Sequence, residues 1–191
     1  MPGKIYAELA ELANEQHGFV TPADAHELGI DPINLVRMAE RGQLERRGNG
    51  VYRFRLAAPG RLDAYMEATI WPRGVHGVLS HETALDLYGL SDVNPAKINI
   101  TVPRTHRVRR AVPLAYRLHR EDLRPGQVSQ YEGISIVTPV HAVRQAHRAH
   151  LGAALIAQAI DQGEQNGRLT RRQAKELRSE IGVLPGDGSR R

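Results

Sequence analysis

Apolar residues follow two different periods in the first part of the chain. A helical spacing of i, i+4, i+7 and i+8 joins Ile5, Leu9, Leu12 and Ala13, which predicts an amphipathic first helix. After residue 43 the period shortens to two, so residues 44–47 and 51–55 are predicted to be brief strands. Asn49-Gly50 between them is typical of a tight hairpin turn.

Cap residues predict two more helices between that first helix and the hairpin. Thr21-Pro22 starts a helix over residues 22–28, and Asp31-Pro32 starts another over residues 32–41. Gly29 ends the first of these two helices, because glycine readily adopts the left-handed conformation that closes a helix. Two helices joined by a short glycine-containing turn and followed by a hairpin predict a winged helix-turn-helix.

The pattern changes after residues 57–60, where Pro and Gly mark a boundary. Beyond it we expect strands at 97–102, 116–119, 128–131 and 134–137, and helices at 61–71, 81–88, 139–149, 152–166 and 170–181. Ser80 is the predicted cap of the helix at 81–88. We therefore predict an α+β protein in which residues 1–56 form a winged helix-turn-helix domain. A mixed α/β C-terminal domain with a small antiparallel sheet and terminal helices is expected over residues 61–184, followed by a flexible tail at 185–191.

The overall charge is mildly basic and the chain contains no cysteine. Lys and Arg number 26 against 21 Asp and Glu, which favours a polyanionic partner. Without cysteine there are no disulfides, thiolate zinc sites or cysteine nucleophiles. No apolar run approaches the roughly 20 residues needed to span a bilayer, and the acidic amphipathic N-terminus does not resemble a signal peptide. We expect a cytoplasmic protein with no membrane partner.

The helix over residues 32–41 is the candidate reader of DNA bases, since the second helix of a helix-turn-helix enters the major groove. Leu35, Met38 and Ala39 form its expected buried stripe. The adjacent face carries the candidate base-reading residues Asn34, Arg37 and Arg41. Arg pairs bidentately with guanine and Asn with adenine, so these residue types suit sequence recognition.

The hairpin is the candidate phosphate-binding wing. Its basic residues are Arg46, Arg47, Arg53 and Arg55, and Glu40 and Glu45 are the only acidic residues over 37–55. Such residues would supply salt-dependent affinity for the DNA backbone. A winged helix can also dock a protein, so an interaction module that never touches DNA remains the alternative. A degenerate nuclease is a third possibility.

Further basic residues lie in the second half of the chain. They are Arg104, Arg107, Arg109 and Arg110 in one segment, and Arg171, Lys175 and Arg178 on one face of the last helix. Each group either extends the DNA-binding surface, binds an acidic partner or is a solvated face.

No motif indicates catalysis, a cofactor or a metal. His141, His147 and His150 lack the i, i+4 spacing of a helical zinc pair, and no carboxylate accompanies them. Ser80-His81-Glu82 brings hydroxyl, imidazole and carboxylate together in sequence, but neighbouring helical residues face different directions. We expect a protein without enzymatic activity, catalytic residues, cofactor or metal.

Several segments resemble the AbiEi-type antitoxins of bacterial toxin-antitoxin systems. They are GFVTPADAHELGI, RGQLERRGNGVYRF, LSHETALDLYGLSDV, INITVP and ISIVTPVHAVRQA, which together span most of residues 15–147. The resemblance implies an N-terminal winged helix-turn-helix that binds operator DNA of its own operon and represses it. It also implies a C-terminal domain that counters a nucleotidyltransferase-like toxin.

Overall fold

The computed structural model describes residues 3–48, 50–108 and 111–182. The chain divides into two compact units. The first contains the described residues up to Gly77 together with Glu132–Ile134, and the second contains Val78–Tyr131 and the described residues from Ser135 onward. A small antiparallel sheet lies in the first unit and a mixed sheet in the second, each with helices, so the α+β class is confirmed. Asn49, Arg109, Arg110 and the predicted flexible tail at 185–191 lie outside the described residues.

The first unit begins with three helices: α1 (Lys4–Glu15), α2 (Pro22–Glu27) and α3 (Ile33–Glu40). Thr21 caps α2 as predicted, because the Asp24 backbone N–H donates to Thr21 Oγ1 at 3.3 Å and the Thr21 backbone N–H donates to Asp24 Oδ2 at 2.7 Å. Asp31 Oδ1 accepts a hydrogen bond from the Ile33 backbone N–H at 2.9 Å. The predicted helix starts are therefore confirmed to within about one residue.

A three-stranded antiparallel sheet completes the first part of this unit. Its strands are β1 (Phe19–Val20), β2 (Leu44–Gly48) and β3 (Val51–Phe54), in the order β1-β3-β2. The predicted hairpin is confirmed as β2 and β3. Strand β1 was not predicted because two residues are too few to show alternation. Leu9, Leu35 and Leu44 are fully buried, so α1, α3 and β2 contribute to one core.

The first compact unit continues past the predicted boundary at residues 57–60. Helix α4 (Asp63–Ile70) belongs to it. Asp63 accepts a hydrogen bond from Arg53 at 2.8 Å, and Glu67 forms an ion pair with Arg47 at 3.4 Å. These contacts join α4 to the hairpin across the Pro-Gly segment. Pro and Gly end the periodic pattern there without ending the compact unit.

The second unit contains a five-stranded sheet in the order β6-β5-β4-β8-β7. Its strands are β4 (Val78–Leu79), β5 (Ile98–Val102), β6 (Tyr116–Arg120), β7 (Val128–Tyr131) and β8 (Ile134–Val137), and only the first residue of β8, Ile134, is grouped with the first unit. Strands β5 and β6 are parallel, as are β4 and β8, whereas β4 and β5 are antiparallel. The sheet is therefore mixed, and the predicted antiparallel C-terminal sheet is wrong. Residues 103–115 provide the dozen or so residues that a parallel connection needs.

Four helices accompany this sheet: α5 (His81–Leu87), α6 (Pro139–Arg148), α7 (Ala153–Gln165) and α8 (Arg171–Ile181). Leu85, Ile136 and Ile156 are fully buried, so helices and sheet share a core. Gly163 of α7 permits a close approach, since a Cβ there would lie 2.7 Å from Leu169 Cδ1. Among the described residues, none of the helices combines the length and apolar character needed to cross a bilayer.

Candidate nucleic-acid interface

Helix α3 has one buried side and one exposed side. Leu35 and Met38 are buried and Ala39 is half-buried, as the helical spacing predicts. The exposed side carries Arg37 and Glu40, with Arg41 directly after the helix. Neither Arg37 nor Arg41 forms an ion pair with another described residue. Both guanidinium groups are therefore free to meet a ligand.

Asn34 differs from these arginines. It is half-buried, and its Nδ2 donates a hydrogen bond to the Asp31 backbone carbonyl at 2.9 Å. The Asp31 carbonyl also accepts a hydrogen bond from the Asn34 backbone N–H, so the Asn34 side chain adds a second bond to the same carbonyl. Its predicted role in reading bases stays a prediction, and it would require this local hydrogen bond to be exchanged for one to a base.

Two apolar residues outside the set of predicted base-reading residues lie on the exposed side of α3. Ile33 is 43% exposed and Val36 is 36% exposed. Helical spacing places both residues outside the buried stripe of Leu35 and Met38. Their exposure could therefore have been predicted from the sequence. Exposed apolar groups on a reading helix can contact the methyl group of thymine.

The hairpin arginines separate into exposed and paired residues. Arg46 and Arg55 are exposed and make no ion pair with another described residue. Arg47 instead lies 3.0 Å from Glu45 Oε1 and 3.4 Å from Glu67 Oε2. Hydrogen bonding by Glu45 and the charge of Glu67 raise the pKa of Arg47. The charge available to an anionic ligand is concentrated on Arg46 and Arg55.

Arg53 is held within the first unit. Its side chain is 12% exposed, and Nη2 donates to Asp63 Oδ2 at 2.8 Å and to the Ala58 carbonyl at 3.0 Å. The guanidinium carbon lies 5.6 Å from the centre of the Phe19 ring, within the range of a cation–π contact. These contacts give Arg53 a structural role, and its predicted phosphate contact stays a prediction.

We expect Arg53→Met to destabilise the first unit by about 2 kcal/mol, because Asp63 would lose a charge-assisted hydrogen bond in a partly buried site. The single tryptophan, Trp71, belongs to this unit, so urea unfolding followed by its fluorescence measures the change. Arg46→Met, at an exposed position of β2, is the matched control and should alter the free energy of unfolding little. Equal transitions for the parent and Arg53→Met would contradict the structural role.

The other predicted basic residues also divide into two classes. Arg104, Arg107 and Lys175 are exposed, and Arg171 is 96% exposed despite a carboxylate of Glu164 at 3.9 Å. Arg178 pairs with Asp161 at 2.7 Å and with Glu164 at 3.1 Å, and hydrogen bonding by Asp161 contributes most to raising its pKa. Arg178 therefore joins α8 to α7. Whether the exposed members extend a binding surface stays a prediction.

The histidines of the second unit are less scattered than the sequence suggests. His81 stacks on His119, which is distant in sequence, with ring centres 3.6 Å apart. Ser80 is the N-cap residue of α5, but its hydroxyl makes no capping hydrogen bond and lies 3.0 Å from His81 Nδ1 instead. Glu82 faces Asn99, whose Nδ2 donates to its carboxylate at 3.3 Å. Within the described part of the chain, no three His, Asp or Glu side chains converge as metal ligands would.

Comparison with family models finds a match in the first part of the chain. Residues 7–55, which hold most of α1 and all of α2, α3 and the three-stranded sheet, match the model of a family described as a transcriptional regulator, the AbiEi antitoxin. The resemblance found in the sequence is thereby confirmed over this segment. Among curated proteins, no sequence matches the chain.

Solved structures support the fold. Three chains match, among them the crystal structure of RV2827C protein from Mycobacterium tuberculosis. That chain is 18% identical, the TM-score is 0.50, and the similarity covers 94% of this chain and 72% of the other. At this level of identity the similarity concerns the fold alone.

Proposed function

From the match of residues 7–55 to the AbiEi antitoxin regulators, we propose that the chain is a cytoplasmic DNA-binding autorepressor of a toxin-antitoxin operon. Residues 4–54 act as a winged helix-turn-helix on operator DNA. The chain also counters a nucleotidyltransferase-like toxin and catalyses no reaction of its own. The observation that carries the DNA-binding part is the set of exposed arginines without an ion-pair partner among the described residues: Arg37, Arg41, Arg46 and Arg55.

Helix α3 would read the major groove with a mixed surface. Arg37 is suited to guanine, because its guanidinium group can donate to O6 and N7 together. Ile33 and Val36 lie on the same exposed side and are suited to thymine methyl groups. A binding site that contains guanine beside thymine would satisfy both kinds of contact.

The hairpin would contact phosphates beside the reading helix. Arg46 and Arg55 have no intramolecular ion pair among the described residues, so binding to phosphate does not require an existing pair to break. Each phosphate neutralised releases counterions and strengthens binding at low salt. Such contacts fix the position of the protein on DNA, whereas α3 supplies the sequence preference.

Replacing Arg37 with alanine should remove sequence preference at one base pair. We expect Arg37→Ala to weaken binding to the upstream DNA of the chain's own gene by about tenfold, because a bidentate base contact contributes roughly 1–3 kcal/mol of discrimination. Binding to a scrambled duplex should change much less. Fluorescence anisotropy with both duplexes across a salt series measures the two effects, and Lys97→Ala is a control at an exposed basic residue of the second unit.

Two outcomes would count against this proposal. If Arg37→Ala binds both duplexes like the parent, Arg37 does not read a base. If the parent binds neither duplex even at low salt, the first unit is not a DNA reader. The exposed apolar side chains Leu28, Ile33 and Val36 would then favour the alternative, a module that docks a protein.

The antitoxin part of the proposal rests on the family match and has its own test. The full chain is co-expressed with the product of the neighbouring gene, and growth is compared with expression of that product alone. Restored growth supports antagonism of a toxin. Continued arrest in the presence of folded chain argues against it. The Arg37→Ala variant then separates repression from direct antagonism, because it should retain any function of the second unit.

A further inference from the structure

A polar cavity of about 290 Å³ opens where strands β5 and β6 of the second unit end. Its lining includes His81, Arg104, His119, Arg120, Glu121 and Arg148. The carboxyl ends of neighbouring parallel strands are a common location for ligands in open sheets. None of these residues belongs to residues 7–55, the segment that matches the regulator family and contains α3 and the hairpin.

Positive charge dominates the cavity. Arg104 and Arg120 are exposed, and neither side chain forms an ion pair with another described residue. The loop that carries Arg104 is fixed, because the Arg104 backbone N–H donates to Asp122 Oδ1 at 2.9 Å. Arg148, which also lines the cavity, donates to Glu121 Oε1 at 3.1 Å. Three of the residues that line the cavity are thus arginines, against one residue with a carboxylate.

The carboxylate of Glu121 is already satisfied. Gln145 Nε2 donates to Oε2 at 2.6 Å, while Arg148 Nη2 and His141 Nε2 lie 3.1 and 3.2 Å from Oε1. Burial alone would raise the pKa of Glu121, but hydrogen bonds from Gln145 and Arg148 outweigh burial and lower that pKa. Glu121 is therefore a positioning residue that holds Arg148 at the cavity wall.

The stacked histidines contribute hydrogen-bonding groups without charge. His119 Nε2 lies 2.9 Å from Asn99 Oδ1, an acceptor, so Nε2 carries the proton of a neutral ring. When the Ser80 hydroxyl donates to His81 Nδ1 across their 3.0 Å separation, the proton of His81 lies on Nε2. That Nε2 has no hydrogen-bond partner among the described residues. His81 can therefore donate to a ligand in the cavity.

The backbone at His81 is strained. Its φ is +52°, in the left-handed region that non-glycine residues rarely occupy, although the residue is buried. Such conformations persist when the surrounding structure holds them, and they cluster at ligand sites. Here the stack on His119 and the contact with Ser80 hold the imidazole at the cavity.

We propose that this cavity binds a phosphate monoester no larger than a mononucleotide. The guanidinium groups of Arg104, Arg120 and Arg148 bind the phosphate oxygens, and His81 Nε2 donates a further hydrogen bond. A phosphate dianion offers three oxygens and the charge to match several arginines, whereas one carboxylate would leave guanidinium groups unmatched. The cavity volume lies at the lower limit of the roughly 300–1,000 Å³ typical of ligand pockets, which favours a small ligand.

Isothermal titration of the full chain with inorganic phosphate, ribose 5-phosphate, AMP and adenosine tests the proposal. The three phosphate-bearing probes should bind, and adenosine should not. Equal affinities for the three would identify phosphate alone as the ligand group, whereas tighter binding of ribose 5-phosphate or AMP would identify an organic phosphate. Both results support the site. Absence of binding by all three at millimolar concentration would overturn it.

Matched variants localise the binding. Arg120→Gln and Arg104→Gln should each weaken phosphate binding by about tenfold, as expected for the loss of one charge-assisted contact. Arg107→Gln removes an exposed arginine of the same segment as Arg104 that does not line the cavity, and it should bind like the parent. Equal weakening by all three variants would indicate a diffuse charge effect and overturn the site. A ³¹P chemical-shift change that is lost in Arg104→Gln provides a second readout if Arg120→Gln fails to fold.

Discussion

Lowering the pH from 7 to 5 should reduce the free energy of unfolding by about 3 kcal/mol, mainly through the stacked histidines. Burial, followed by the charge of His119, lowers the pKa of His81 to about 3. Burial, followed by the charge of Arg117, lowers the pKa of His119 to about 4. In the unfolded chain both imidazoles would titrate near the ordinary value of about 6.5.

The free energy of unfolding falls with pH because the folded and unfolded chains bind different numbers of protons. Well above pH 6.5 both rings are neutral in the folded and unfolded chains, so their protonation does not affect folding. Between pH 6.5 and the folded pKa values, the unfolded chain binds protons that the folded chain does not, and stability falls. At pH 5 this amounts to about 2 kcal/mol for His81 and about 1 kcal/mol for His119, after a discount for its greater exposure.

Other titrating groups around the pair act in the same direction or outside this interval. Burial also lowers the pKa of His141, which therefore adds to the loss. The pKa of Glu121 is lowered below its ordinary value, so its contribution is lost only at more acidic pH. The interval from pH 7 to 5 thus reports chiefly on buried imidazoles.

Urea unfolding followed by far-ultraviolet circular dichroism at pH 7, 6 and 5 measures this loss. His81→Asn removes the titrating group and keeps a residue type that tolerates positive φ, so the decrease between pH 7 and 5 should shrink by about 2 kcal/mol. His147→Asn, at an exposed position of α6, is the matched control and should retain the full decrease. If His81→Asn shows the same pH dependence as the parent, the two rings do not titrate as their burial requires.

Individual helices could be predicted from the sequence because the residues that start and pattern a helix lie within a few positions of one another. Thr21 with Asp24 and Thr170 with Gln173 form the capping boxes that start α2 and α8, and both sets of partners lie within one helical turn. The buried stripe of Leu35 and Met38 follows from helical spacing alone. Elements with such signals agree with the structure to within a few residues.

The sheet order and the partners of charged residues could not be predicted in the same way. Strand β4 has two residues and no alternation to detect, yet it lies between β5 and β8 and sets the mixed topology. In the sequence, Arg53 and Arg178 cannot be told apart from arginines that are exposed. Their partners Asp63 and Asp161 are brought near by tertiary packing. The folded structure is therefore needed to tell an arginine that is paired within the protein from one that can bind a ligand.

Among the hairpin arginines, the exposed Arg46 and Arg55 should contribute much more to DNA binding than the paired Arg47. We expect the double variant Arg46→Gln/Arg55→Gln to reduce the salt dependence of binding, the slope of log K against log salt, by about 2 units. At 0.1 M salt this corresponds to a loss of affinity of about 60-fold, because each phosphate contact contributes about 0.9 to the slope. Own and scrambled duplexes should be affected alike.

The matched control is Arg47→Gln/Glu67→Gln, which removes an ion pair between the same hairpin and α4 and leaves the net charge unchanged. Its slope should equal that of the parent, because the charge of Arg47 is already balanced by Glu45 and Glu67. Anisotropy titrations from 50 to 300 mM salt would give all three slopes.

If the control lowers the slope as much as one exposed arginine does, the pair opens on DNA and Arg47 contacts phosphate as its sequence position predicts. If instead the exposed double variant keeps the parent's slope, the hairpin does not bind the DNA backbone, and the exposed apolar side of α3 becomes the surface to test for a protein partner.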